Sequence, residues 1–219
     1  MTSPISPRLV KGGIITLDPD TSVVLGVIAL QYNPDSLSRT LQVQATPGSA
    51  DGNRVDALRL RGPAIETIKL EADFDATDQL EFPQRFPDAV EYGLHPALAQ
   101  LEMLVNPSVE SLLADDALAN AGTLEILPLE QPVTLFVWSA TRVVPVRLTD
   151  FSITEQAFDP QLNPIRAKVS LGMRVLTIDD LGFSHPGGRL FMAYLTKKQT
   201  LAARAVSPAL TVLGLGGLP

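Results

Sequence analysis

The sequence predicts a mainly β protein: one antiparallel barrel or sandwich, with one or two short helices in the middle and a helix near the C-terminal end. Three observations predict it. Residues 67–76 and 165–175 alternate apolar and polar side chains, the pattern of a strand with one wet face. The 18 prolines and 15 glycines stand between apolar runs rather than in one block, which suits short strands joined by turns. Apolar residues at helical spacing are confined to the middle of the chain and to its last quarter.

In chain order, residues 13–17 are a short apolar run, and Asp18-Pro19-Asp20-Thr21 turns the chain back. Pro fixes φ at the second turn position and Asp caps the first. Residues 23–32 are apolar on both faces and fit a fully buried strand, which Asn33-Pro34-Asp35-Ser36 ends. Residues 39–45 alternate, with Leu41, Val43 and Ala45 on one face, and a polar loop, 46–54, follows. In 67–76, Ile68, Leu70, Ala72 and Phe74 point one way, and Lys69, Glu71, Asp73 and Asp75 the other.

His95-Pro96 opens a helix carrying Leu98, Leu101, Leu104 and Val105, because a proline in the first turn lacks only an N–H that would go unpaired there. Asn106-Pro107 stops it. Residues 108–120 read as a second helix capped by Ser108. Residues 133–138 form another apolar strand, turned back by Ser139-Ala140-Thr141 towards Arg142. Val144, Val146 and Leu148 alternate, then the phase slips to Phe151 and Ile153, as a β-bulge at Thr149-Asp150 would produce. In 165–175 the inward set is Ile165, Ala167, Val169, Leu171, Met173 and Val175; Arg166, Lys168, Ser170 and Arg174 face outward. Residues 190–206 read as helix and 207–219 as a loosely ordered tail. The expected division is a β domain over 1–186 and a helical extension with a flexible tail over 187–219.

Composition narrows the chemistry. The chain has 219 residues, a formal charge of −7, two His and no Cys. At roughly 150 residues per domain, that length gives one large domain or two small ones. Without Cys there is no disulfide framework, thiolate–zinc or iron–sulfur site, or thiol nucleophile. An acidic chain is a poor match for nucleic-acid phosphates or anionic lipid, so no nucleic-acid partner and no membrane insertion are expected. The first residues lack a basic-then-apolar leader pattern, which points to assembly in the cytosol.

A search for catalytic, metal or cofactor sites gives none. His95 and His185 lie far apart in the chain, and each precedes Pro; His95 reads as a helix-start residue. Ser184-His185 lacks the glycine-flanked elbow of a nucleophilic Ser. Gly214-Leu215-Gly216-Gly217 has no Lys or Ser/Thr after it, so it is no phosphate loop. Asp51-Gly52-Asn53 with Asp56 resembles part of a calcium loop without its final Glu. Asp73, Asp75, Asp78 and Glu81 read as a solvated or partner-facing surface. Arg166, Lys168 and Arg174 form a basic face that could meet Glu71 and Asp73, within the protomer or in a neighbouring copy.

Several phrases occur in order: IALQYNPDSL (28–37), ETIKLE (66–71) running into DATD (75–78), YGLHP (92–96), LFVW (135–138), and 147–181 with FDPQLNPIRAKV (158–169). This series resembles the contractile injection system tube-domain family, the baseplate hub adaptors of phage-tail-like particles. The resemblance implies a tube-type antiparallel β-barrel and a non-enzymatic, structural role without cofactors. It implies a homo-oligomeric ring, six copies by analogy, joining the inner tube protein to the spike and hub among other baseplate proteins, in a released or anchored particle. The candidate assembly-interface residues are Gln31, Tyr32, Asn33, Lys69, Glu71, Asp73, Asp75, Asp78, Arg166, Lys168 and Arg174. Many family members carry a LysM module after this domain; this chain shows none, so peptidoglycan binding is not carried over. The alternatives are a tube initiator of the same machine and a stand-alone β-sandwich ligand-binding module using Asp73, Asp75 and Asp78.

Overall fold

The structure is a computed structural model that describes residues 10–45, 59–120, 131–205 and 212. Its strands are β1 (Gly13–Leu17), β2 (Val24–Ala29), β3 (Leu37–Gln42), β4 (Ile65–Asp75), β5 (Val133–Ser139), β6 (Arg142–Phe158) and β7 (Pro164–Val175). Its helices are α1 (Thr77–Leu80), α2 (Pro87–Tyr92), α3 (His95–Glu102), α4 (Val109–Asn120), α5 (Ile178–Leu181) and α6 (Pro186–Ala202). The mainly β, antiparallel expectation holds, with helices in the middle and a C-terminal one. The expected loop at 46–54, the calcium-loop fragment, the glycine run at 214–217 and, apart from Val212, the tail lie outside the described residues.

All seven strands belong to one sheet, in the order β2-β1-β5-β6-β7-β4-β3, and every pairing is antiparallel. Turn chemistry sets the hairpins. Asp18 Oδ1 accepts from the Asp20 and Thr21 N–H groups at 3.1 and 2.7 Å and so joins β1 to β2. Asp159 Oδ1 accepts from Gln161 and Asn163 N–H, each at 2.8 Å, between β6 and β7. The phase slip in β6 is a register shift between Leu148 and Asp150, as the sequence indicated.

The ladder does not close, because β2 and β3 have no strand beyond them among the described residues. Yet the sheet curls. Neighbouring strands about 4.8 Å apart would leave β2 and β4, five spacings from each other, roughly 24 Å apart in a flat sheet. Instead the Gln31 amide, two residues past β2, bonds both backbone groups of Asp75 at the end of β4: Asp75 N–H donates at 2.8 Å, and Gln31 Nε2 donates to Asp75 O at 2.5 Å. The chain then runs on to β3, whose Leu37 pairs with Leu70 of β4. A side-chain clasp therefore stands where a closed barrel would have a strand pair.

The core fills the curled sheet. Ile68, Leu70, Ala72 and Phe74 of β4 and Ala167, Val169, Leu171, Met173 and Val175 of β7 are buried, in the parity the alternation gives. Leu98 and Leu101 of α3 and Phe191 and Tyr194 of α6 join the same cluster. Each large side chain so buried contributes about 1.5–3 kcal/mol. Thus α6 is part of the β domain's core, where the sequence suggested an extension. It also starts earlier than its apolar stripe suggested: His185 Nδ1 accepts from Gly187 N–H at 3.1 Å and caps the helix ahead of Pro186.

One expectation needs correction. Residues 23–32 are not a buried strand: β2 is an edge, and Val23, Val24, Leu25 and Val27 are exposed. The apolar face of 39–45 is open too, with Leu41 and Val43 exposed, because β3 is the other edge among the described residues. No helix among the described residues is long and apolar enough to cross a membrane, which says nothing of strands.

Candidate assembly surface

The wet face of β4 and β7 brings most of the candidate residues together. Cross-strand register sets Asp75 opposite Arg166 and Asp73 opposite Lys168, with Lys69 opposite Gly172 and Thr67 opposite Arg174. The acidic and basic faces therefore meet within the protomer. Arg166 Nε donates to Asp75 Oδ2 at 2.9 Å. Lys168 Nζ stands 3.9 Å from Asp73 Oδ1, both side chains more than half exposed. Burial pushes the Asp75 carboxyl up, but the Thr77 hydroxyl and N–H, then Arg166, outweigh it and hold it below the ordinary range.

Arg174 pairs with Asp180 of α5 at 2.7 Å. The Asp180 carboxylate also closes a capping box with Thr177 at the start of α5. Asp78 lies apart from the face, exposed in the first turn of α1.

Gln31 and Asn33 act as substitutes for backbone. Gln31 makes the clasp to Asp75. Asn33 Oδ1 accepts from Gly12 N–H at 2.9 Å while its Nδ2 donates to Val10 O at 2.8 Å, which fixes the lead-in to β1. Tyr32 between them is exposed. Tyr32, Asn33, Asp35, Glu71, Asp73 and Lys168 line one polar cleft of about 380 Å³. It lies along β4 past the last β3 pair, where Glu71 and Asp73 pair with β7 on one side and have no described strand on the other. Among the described residues no group of three His, Cys, Asp or Glu could hold a metal ion. The surface supplies charges and hydrogen-bonding groups at fixed spacing, which suits recognition of a polar surface.

Sequence reasoning missed the densest polar cluster. Glu66 is 3% exposed. It accepts from Arg39 Nε at 2.6 Å, Lys198 Nζ at 2.8 Å and the Tyr194 hydroxyl at 3.2 Å. Lys198 also stands over the Tyr194 ring, 4.2 Å from its centre. Burial pushes Glu66 up, but Arg39 and then Lys198 overcome it and hold the carboxyl below its ordinary range. The cluster ties α6 to β3 and β4. The signal was in the alternation: Glu66 shares the parity of Ile68 and Leu70, which makes it a carboxylate on a buried face.

No family model and no curated protein matches the chain. Among solved structures, a chain in the tail of an empty GTA particle, refined helically with C6 symmetry, is similar to this one at 13% identity. The match covers 75% of this chain and 90% of that one, with a TM-score of 0.28. An overlap this loose carries neither fold nor role across.

Proposed function

We propose that this chain is a structural part of a contractile, phage-tail-like injection particle, in which copies form a ring joining the inner tube to the spike and hub. The observation that carries the reading is the sheet whose two edges, β2 and β3, are open among the described residues, set in a chain whose ordered phrases resemble that family. An open edge is a row of unpaired N–H and C=O groups, which invites pairing with another strand. Two such edges on one protomer let each copy pair with a neighbour on either side, and a closed ring hides all of them. The charged face of β4 and β7 fixes register against the adjoining ring.

Where the phrases fall supports the same reading. Gln31, Asn33 and Asp75 form the clasp and its lead-in. Leu94 N–H of the YGLHP phrase donates to Pro164 O at 2.9 Å, beside the turn of the longest phrase. Parts of these phrases thus fall on the clasp and on the contact that fixes the β6–β7 turn. For the ligand-module alternative, Asp75 is already engaged by Arg166 and Thr77.

Deleting the chain from its parent system tests the proposal. The expected result is particles that lack a joined baseplate. Full baseplates without it would overturn the reading, and melting that rises with calcium or a sugar would favour the ligand-module alternative.

A further inference from the structure

An apolar groove of about 440 Å³ runs between β2 and α3. Leu25 and Val27 make one wall, Ala99 and Met103 the other, and Pro132 is at its end. Leu25, Val27 and Met103 are 56%, 63% and 53% exposed. Contiguous exposed apolar surface of this kind marks a docking site. The groove continues into a second cavity that shares Met103, Leu104 and Pro132 and reaches Arg147. Arg147 makes no ion pair with a described residue.

The same chain carries a helix without a partner. Only Ser111 of α4 is buried, and α4 has no substantial packing contact with any other described element. Val109, Leu112 and Leu113, at i, i+3 and i+4, are 69%, 53% and 65% exposed. A 12-residue helix is marginal alone and depends on packing of its apolar face. It carries Glu110, Asp115 and Asp116 and no basic residue, which complements Arg147 at the far end of the groove. No α4 residue lines the groove of its own protomer.

We infer that the groove between β2 and α3 is the docking site for α4 of a second copy of this chain. The helix lays Val109, Leu112 and Leu113 between Leu25 and Met103, with its acidic residues towards Arg147. The contact is heterologous: a pair leaves one groove and one helix unfilled, so association continues into a ring or an open chain. It needs two copies of this chain and does not depend on the particle assignment.

Sedimentation velocity of the full chain and two exposed-site variants tests it. Met103→Glu blocks the groove and Leu113→Glu blocks the helix; circular dichroism and thermal melting check that both fold as the wild type does. The wild type is expected to associate with rising concentration. Each variant alone loses that association, weakened about 30-fold or more, as removal of a central apolar anchor does. Mixed in equal amounts, the two variants regain one groove-to-helix contact per pair and associate more strongly than either variant alone. A monomeric wild type, variants that associate as strongly as the wild type, or a mixture that associates no more than either variant alone would each overturn the inference.

Discussion

Replacing Glu66 with Gln removes one negative charge and keeps the shape of the side chain. Its effect can be worked from the cluster around it. Glu66 is 3% exposed and holds both Arg39 and Lys198. Breaking a fully buried ion pair costs about 3–5 kcal/mol. Here Arg39 and Lys198 side chains are 27% and 33% exposed, so water takes up part of their charge. Discounting for that screening gives about 2–3 kcal/mol. For a chain of this size the melting temperature then falls by about 5–10 °C. The assay is thermal unfolding followed by circular dichroism across pH. The folded Glu66 carboxyl lies below its unfolded value, so its contribution is fully present above the unfolded pKa and is lost as pH falls through the folded one. Wild type and Glu66→Gln should therefore differ at neutral pH and converge in acid. A variant that melts within a degree of wild type at neutral pH, or a gap that persists once the carboxyl is protonated, would refute the reasoning.

Gln31→Leu removes both clasp bonds and leaves the Asp75 backbone groups unpaired, a loss of about 1–3 kcal/mol; amide hydrogen exchange at Asp75 should accelerate before the core opens, and unchanged protection would count against the clasp. Gly93→Ala should lower stability by about 1–3 kcal/mol in chemical denaturation, because φ there is +57° and a Cβ would come 2.6 Å from Pro164 O; a neutral substitution would show that the loop shifts freely. Lys168→Ala should change stability by less than about 1 kcal/mol, since both partners of the Asp73 pair are exposed; a larger drop on melting would mean the pair is more than a surface contact.

Much of the sheet was readable because parity reports burial directly. Ile68 to Phe74 and Ala167 to Val175 face the core as their alternation required, and the slip near Asp150 marked a real bulge. The edges were harder. An apolar run such as Val23 to Ile28 shows that a surface favours cover, but not whether the cover comes from the same chain or another molecule. A buried central strand and an edge awaiting a partner give the same pattern, so β2 was misplaced. The clasp was not readable either: a glutamine amide can substitute for a strand at any backbone pair, and Asp75 lies 44 residues from Gln31. The start of α6 was encoded locally, by His185 as cap and Pro186 in the first turn, ahead of the apolar stripe that begins at Leu190. Of the candidate surface, the alternation showed acidic and basic strand faces that could meet within the protomer or between copies, and register alone places them within it; the Glu66 cluster depends on Arg39 and Lys198, far from Glu66 in the chain.

In the proposed ring, copies of this chain meet along β2 and β3 between tube and spike. Electron microscopy of the parent particle tests it most directly. The expected image shows a ring of this chain at that junction, with β2 of each copy beside β3 of the next. A particle whose tube meets its spike without this chain, or a ring in which β2 and β3 stay exposed to solvent, would contradict it.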